Sequence, residues 1–223
     1  MHDFFDRVAR RYDRSFAPDA RSSEDDLRPL LATCTPGATV LDLGCGTGRA
    51  WPTLLSAGLR VIALDASMAM LREARRRATV ERVAVLRADL YARWPIADGC
   101  VDVVLALHAV LAHPPEDETR SLRAFQAFHD VGQEIARVAS RGALVAIDLP
   151  EPTWAKRFLR PLGEDRYLHV EEGGAEIVAV IPEPTKVVDA LGLPLSLSPC
   201  VTGTRASGRL GVDAGVRARS STR

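Results

Sequence analysis

Residues 40–50 read VLDLGCGTGRA, an apolar run followed by glycines at positions 44, 46 and 48. A loop of this kind lets backbone approach a ligand, because glycine lacks the Cβ that would hold the two apart. The spacing decides which ligand. A dinucleotide loop needs G-x-G-x-x-G, with amides at a helix N-terminus facing a pyrophosphate. Counted from Gly44, the third glycine of that pattern falls on Arg49. Its bulk opposes the close helix–strand packing of the dinucleotide version. No GxxxxGK[ST] occurs either, so the loop is not a P-loop.

Outward from the loop, strands and helices alternate. ATVLDLG precedes it as a strand, and residues 48–57 follow as a helix closed by Gly58. LRVIALD is a second strand, Ser67 to Arg77 a second helix, VAVLRAD a third strand and VDVVLALHAV a fourth. Asp117 to Ala139 is a long helix with a break at Gly132, and GALVAIDL is a fifth strand. Near-continuous apolar strands between helices predict a parallel sheet covered on both faces. A helix over residues 3–14 places Phe4, Phe5, Val8 and Tyr12 on one face, and a second covers Ser23 to Ala32, capped by Ser22 or Ser23. Late in the chain, YLHVEE and AEIVAVI flank Gly173-Gly174 as a hairpin. Thr185 to Gly192 is a helix with Gly192 as its stop. LPLSLSPCVTG and RLGVDAGVRARS form a closing antiparallel pair.

The expected fold is α/β: a Rossmann-like, doubly wound, mostly parallel seven-stranded sheet with a C-terminal antiparallel hairpin and helices on both faces. A single domain spans 1–223. Residues 1–35 form N-terminal lid helices and 36–150 the ligand-binding core. Residues 151–184 form a substrate-side insertion with the hairpin, and 185–223 the closing helix and strands.

The 223 residues are 47% hydrophobic, which suits one sizeable core. Lys and Arg balance Asp and Glu at 29 each, so no long-range field toward nucleic acid or an anionic membrane is expected. Arg72, Arg75, Arg76 and Arg77 read as the solvated end of a helix whose dipole favours cations there. Cys34, Cys45, Cys100 and Cys200 make no CxxC pair and no zinc spacing, so reduced thiols are expected. The N-terminal residues lack the apolar core of a secretory signal, and Asp3, Asp6 and Asp13 argue against a transit peptide. No apolar stretch approaches the ~20 residues that span a bilayer. The expected location is cytoplasmic.

Over roughly residues 4–150 the chain resembles the class I S-adenosylmethionine-dependent methyltransferases, in their small-molecule branch. The family's first motif, h-L-D-h-G-C-G-T-G, is matched by Val40 to Gly48. LDAS ends the second strand with Asp65, and Ser67, Met70 and Leu71 fit the continuation D-x-S-x-x-M-L. RADL ends the third strand with Asp89. Phe5, Asp6, Ala9, Tyr12 and Asp13 match an N-terminal F-(D)-x-x-A-x-x-Y-D helix. Alone, Asp65 reads as a helix N-cap and Asp89 as a turn residue. Together with the loop they make the resemblance specific.

The resemblance implies S-adenosyl-L-methionine as cofactor and S-adenosyl-L-homocysteine as product. Asp42 would hold the ligand's ammonium, directly or through water, and Gly44, Cys45 and Gly46 would pass close to its amino-acid tail. Asp65 would accept from both ribose hydroxyls, with Ala66 and Met70 beside it. Asp89 would meet the adenine amino group and Leu90 the ring, through its backbone amide. Leu107 and His108 would lie near the sulfur. Cys45 is expected as a small packed residue, neither nucleophile nor metal ligand. The N-terminal helix would fold over the cofactor as a lid.

Transfer from a sulfonium needs alignment and exclusion of water more than acid–base chemistry. A base helps where the acceptor must lose a proton. His108 is the candidate base; otherwise it shapes the pocket. Phe5, Tyr12, His108, His113 and Trp154 are the substrate-side candidates, with His113 in a loop before Pro114-Pro115. Trp154, Phe158, Tyr167 and the hairpin would form an apolar enclosure. His129 is expected in packing, and His169 in the hairpin. No [DN]-P-P-[YF] follows the fourth strand, which disfavours nucleic acid. Asp148 is a lone carboxylate, so no metal is expected. The expected activity is methyl transfer to an O, N or C atom of a small molecule, by a monomer or homodimer, with no membrane partner. The alternative is a non-catalytic S-adenosylmethionine-binding partner or sensor. A nicotinamide oxidoreductase is disfavoured by Arg49.

Overall fold

The computed structural model describes residues 2–15, 27–77, 82–114, 121–171, 174–200 and 203–211. The elements, numbered in chain order, begin with α1 (His2–Ser15), β1 (Thr39–Leu43), α2 (Trp51–Ser56), β2 (Arg60–Asp65), α3 (Met68–Arg77), β3 (Val83–Arg87) and β4 (Val101–Ala106). They continue with α4 (Ser121–Val138), β5 (Ala139–Leu149), α5 (Pro152–Phe158), β6 (Arg160–Gly163), β7 (Arg166–Val170), β8 (Glu176–Val180), α6 (Pro184–Leu191), β9 (Ser196–Cys200) and β10 (Gly203–Arg209).

Seven strands form one sheet in the order β3-β2-β1-β4-β5-β10-β9. The first five pair in parallel, while β10 runs antiparallel to both β5 and β9. Strand order reverses between β1 and β4, and that reversal opens a crevice at the carboxyl ends of the strands, where ligands of open α/β sheets bind. The strands read as apolar runs because both faces are covered. Leu27, Leu31, Leu54 and Ala74 pack on Val40, Leu105 and Ala146 on one face. On the other, Phe128, Val131 and Ile135 of α4 and Val187 and Leu191 of α6 pack on Leu41, Val104, Val145 and Ile147.

The doubly wound class and the parallel core match the reading of the sequence. Several details differ. The helix after the glycine loop starts at Trp51 rather than Gly48, because residues 44–50 are spent on turns. Of the helix expected over Ser23 to Ala32, 27–32 falls within the described residues and is helical over 27–31, and its cap lies outside them. Helix α4 passes through Gly132 without a break. Glycine is required there for another reason: a Cβ would stand 1.9 Å from the Leu191 carbonyl oxygen of α6. Two helices crossing this closely need a residue without a side chain at the contact.

The closing pair is also displaced. Its second strand is β10, Gly203–Arg209, earlier than the RLGVDAGVRARS stretch, most of which lies outside the described residues. GTRASGR carries no apolar alternation, since β10 lies between two strands and buries mainly Ala206 and Arg205. The predicted hairpin is present as β7–β8, in antiparallel register from Arg166↔Val180 to Val170↔Glu176. An unforeseen strand, β6, extends it to a separate three-stranded sheet. No described helix is long and apolar enough to cross a membrane.

Candidate active site

A cleft opens over the carboxyl ends of β1, β2, β3 and β4. Its free space, counted out to the open mouth, is about 790 Å³, within the range of small-molecule sites. Four loops and one helix face wall it. The glycine loop contributes Gly44 and Gly46, and the end of β2 contributes Leu64, Asp65, Ala66, Ser67 and Met70. Ala88, Asp89, Leu90 and Tyr91 follow β3, and Leu107, His108, Ala109, Val110 and His113 follow β4. Phe5 and Tyr12 of α1 close the top.

Asp65 is the centre of the polar wall. Its Oδ2 accepts the Gly46 amide at 2.8 Å and its Oδ1 accepts the Ser67 amide at 2.8 Å. One carboxylate thus ties the glycine loop to the start of α3. The Ser67 hydroxyl accepts the Met70 amide at 3.1 Å as the N-cap of α3. Asp89 accepts the Tyr91 amide through Oδ1 at 3.0 Å, which fixes the turn after β3. The Tyr91 hydroxyl donates to the Leu111 carbonyl at 3.1 Å and braces the loop after β4 against the loop after β3.

Asp42 lies deeper. It is 4% exposed and accepts the Trp51 indole N–H at 3.0 Å through Oδ2. Burial pushes its carboxyl up to about 7, the Asp65 charge adds to the rise, and the indole bond opposes it. An acid in this condition is a buried anion short of a cation. Cys45 donates its backbone amide to the Leu64 carbonyl at 3.0 Å, and burial raises its thiol well above the usual range. A protonated, enclosed thiol is a packing group.

Helix α1 is fastened to two of these loops by the acids of its own motif. Asp6 accepts the Ser67 hydroxyl at 2.6 Å and the Ala69 amide at 3.1 Å. Asp13 accepts the Thr47 hydroxyl at 2.6 Å and pairs with Arg77. Phe4, Val8 and Ala9 pack with Met70 and with Ala175 and Ile177 around β8. Because the Asp13–Arg77 pair is more than a third exposed on both sides, water screens it, and the Thr47 bond carries most of the latch. Replacing Asp13 by Ala is expected to open α1 about 5- to 30-fold more often, from the loss of ~1–2 kcal/mol. Hydrogen exchange should show this as faster exchange confined to α1, with the melting temperature of the rest little changed.

On the loop after β4, His108 and Ala109 both adopt left-handed backbone, with φ of 59° and 60°. Two such non-glycine residues in succession are costly, and strain of this kind persists where surrounding structure over-determines it. The turn sends Val110–Ala112 back as one 3-10 turn and leaves His108 and His113 both on the cleft. His113 Nδ1 lies 3.1 Å from the Val178 carbonyl of β8. A carbonyl only accepts, so Nδ1 carries the proton and Nε2 is bare. Burial lowers this imidazole to about 4, so it is neutral throughout the physiological range. Phe5 meets the ring edge-on at 5.5 Å.

Of the residues expected from sequence, Gly44, Gly46, Asp65, Ala66, Met70, Asp89, Leu90, Leu107, Phe5, Tyr12, His108 and His113 line this one cleft. Asp42, on β1, and Cys45, within the glycine loop, are not among the residues that line it. Trp154 and the apolar enclosure expected around it are corrected. Trp154 and Phe158 meet at a tilt, 5.4 Å apart, on the outside, 42% and 59% exposed. Helix α5 turns Ala155 inward instead, with Leu159, toward Ala109, Ala112 and Tyr167. His129 is exposed beside Gln133, and His169 pairs with Glu171 behind Phe4. Asp148 is a buried ion-pair partner of Arg205 at 2.7 Å, and the described residues hold no cluster of three metal-binding side chains. Sequence reasoning missed Tyr91, which directly follows the RADL match, and Trp51, which directly follows the glycine loop.

Comparison with known proteins agrees with this geometry. Residues 40–134 match the family model described as a methyltransferase domain. A malonyl-[acyl-carrier protein] O-methyltransferase of Pectobacterium atrosepticum is 41% identical over 106 residues, 48% of this chain and 40% of that protein. A demethylmenaquinone methyltransferase of Beutenbergia cavernae is 31% identical over 156 residues, 68% of this chain and 58% of that protein. The chain thus spans about two-fifths to three-fifths of the length of these curated relatives. A solved DhpI–SAM–HEP complex shares the fold at a TM-score of 0.67 and 24% identity, over 92% of this chain and 94% of that one. Over residues 40–134 the chain matches a methyltransferase domain, and its glycine loop, paired strand-end acids and sheet order are similar to those of the class I S-adenosylmethionine-dependent methyltransferases.

Proposed function

We propose that this chain binds S-adenosylmethionine in the cleft and passes its methyl group to a small-molecule acceptor held under α1. The observation that carries this reading is Asp65, a carboxylate pinned by the Gly46 and Ser67 amides at the mouth of the glycine loop, with Asp89 at the next strand end. In this arrangement Asp65 takes the ribose hydroxyls, while Asp89 and Leu90 take the adenine edge. Asp42 meets the ammonium of the amino-acid tail. The donor set fits the group: a buried, half-neutral carboxyl at Asp42 is what a cationic tail would complete.

When bound, the cofactor supplies a methyl carbon that a lone pair can displace from sulfur in line, leaving S-adenosylhomocysteine. The chain's own part is to bind, orient and keep water out. Phe5 and Tyr12 cover the cleft, and Leu107 and Val110 supply apolar floor. His113, fixed by Val178, offers Nε2 as a neutral acceptor for an O–H or N–H on the substrate. With so low a basicity it orients that proton rather than removing it at neutral pH. His108 is the remaining candidate to receive a proton. The acceptor is a small molecule, and the protein acts in the cytoplasm as a monomer or homodimer without nucleic acid.

Two measurements test the reading. Isothermal titration should show binding of S-adenosylmethionine and S-adenosylhomocysteine; folded protein that binds neither would end it. Incubation of a metabolite mixture with methyl-labelled cofactor should then yield a labelled product, whereas a sensor would bind and transfer nothing.

The Asp42 assignment sets a pH dependence. The ammonium needs the carboxylate, and the free protein holds that group protonated below about 7. Binding of S-adenosylhomocysteine should therefore weaken about tenfold per unit as pH falls below that point. At alkaline pH, above the peptide α-amino range of about 8 because the ligand's own carboxylate holds its ammonium, the amine loses its proton and affinity falls again. The expected profile is a maximum between the two limbs. Asp42→Asn should abolish the acid limb, and an acid limb that survives in that variant would remove the role from Asp42.

A further inference from the structure

Trp51 is 1% exposed and stands at the first position of α2, directly after the turns of the glycine loop. It touches the strand before that loop and the loop itself. Its Nε1–H donates to Asp42 Oδ2 at 3.0 Å. Its six-membered ring lies against Gly48, where φ is +74° and a Cβ would stand 2.8 Å from Cδ2 and 2.9 Å from Cε3. The glycine at 48 is therefore needed by the indole as much as by the ligand: any side chain there would drive the ring, and with it the N–H, away from Asp42. The backbone adds a further tie, since the Trp51 amide donates to the Gly48 carbonyl at 3.2 Å.

Asp42 is held on the central strand β1, between Ala63 of β2 and Leu105 of β4 in register. Burial and the Asp65 charge both oppose its ionised form, and the indole hydrogen bond favours it. A rigid aromatic donor does this without adding a second cation that would compete with a ligand ammonium. A Lys or Arg in its place would neutralise the carboxylate outright, and an aliphatic residue would leave it protonated more of the time.

We propose that Trp51 is a positioning residue for the cofactor's amino-acid tail: through its indole N–H, and with Gly48 making room for its ring, it orients the Asp42 carboxylate toward the ligand ammonium. It acts through Asp42 and has no contact with the adenosine end. The inference rests on the cofactor reading above and concerns only the tail.

The two ligand halves separate the idea from a general loss of structure. 5′-Methylthioadenosine carries the adenosine and the thioether of S-adenosylhomocysteine but lacks the amino-acid group. Titration of Trp51→Phe, which keeps the ring against Gly48 and removes the donor, should show S-adenosylhomocysteine binding at least tenfold weaker. Methylthioadenosine binding should stay within about twofold of wild type. In an Asp42→Asn background, Trp51→Phe should cause no further loss. Equal weakening of both ligands, or of neither, would overturn the proposal. If wild-type protein binds neither ligand, the cofactor reading itself fails, and the two failures are thereby distinct. A second measurement needs no variant fold: the Trp51 indole proton in NMR spectra of wild-type protein should shift on addition of S-adenosylhomocysteine and stay near its free position with methylthioadenosine. An indole resonance that responds identically to both would equally overturn it.

Discussion

Asp65→Ala is expected to lower S-adenosylhomocysteine affinity by about two to three orders of magnitude. The carboxylate serves three groups. It ends the second strand, accepts one amide from the glycine loop and another from the start of α3, and in the proposed complex takes the ribose hydroxyls. Hydrogen bonds to a charged partner contribute ~1.5–3 kcal/mol each. Loss of two on the ligand side, taken at the lower end of that range, corresponds to ~3–4 kcal/mol, or about 10²- to 10³-fold in the dissociation constant. The orphaned Gly46 and Ser67 amides add loop disorder to the loss. Asp65→Asn keeps one carbonyl acceptor and should fall between, at about tenfold. Calorimetric titration reads both. Alanine at 65 with wild-type affinity would show that the ribose is held elsewhere, and the proposed pose would have to be abandoned.

The second large effect is on stability. Gly132→Ala adds one methyl group to α4, where a helix interior ordinarily welcomes alanine by ~1 kcal/mol over glycine. Here the Cβ would sit 1.9 Å from the Leu191 oxygen and 2.8 Å from its carbonyl carbon. Both are backbone atoms of α6, so the clash is relieved only by separating the helices. Phe128, Val131, Val187 and Leu191 then lose packing on the sheet. Overpacking of this sort costs ~1–3 kcal/mol or somewhat more, and helix propensity does not recover it. For a chain of this size each kcal/mol shifts the midpoint by about 2–4 °C, so thermal unfolding should come about 5–10 °C lower. The cleft is lined by loops at the other end of the strands, and ligand affinity of the folded fraction should change less than threefold. A melting temperature equal to wild type or higher would show that α4 and α6 do not cross at this distance.

These two sites also show what the sequence made legible. Asp65 was readable because its neighbours are local: strand, acid and the following helix lie within one short run of chain. The same holds for Asp89 and for the glycine loop. Gly132 was readable as an anomaly but not as a crossing point. Its partner, Leu191, is far away in the chain, and a glycine inside a helical pattern suggests a break until the second helix is in view. Trp154 failed for a related reason. Helix α5 has only seven residues, too few for periodicity to say which side faces in, and packing chose Ala155. Strand β10 was missed because a strand between two others can be built from Thr, Ala, Ser and Gly. Trp51 left a signal that was passed over, an aromatic directly after a glycine turn. Its meaning depends on where the ring goes, and sequence does not contain that.

The way α1 is fastened has a consequence for how such a protein changes over time. In the proposed complex the sheet and its loops read the cofactor, whereas the acceptor would lie against Phe5 and Tyr12 of α1 and the turn from His108 to His113, which line the cleft. Asp6 and Asp13 attach that segment at Ser67 and Thr47, which belong to the loops proposed to read the cofactor. The attachment points are thus tied to an unvarying ligand, while the aromatic positions between them are not. A lineage can rewrite residues at the cleft-facing positions of fourteen amino acids, keep the two acids, and obtain a chamber for a different molecule without touching the machinery that supplies the methyl group.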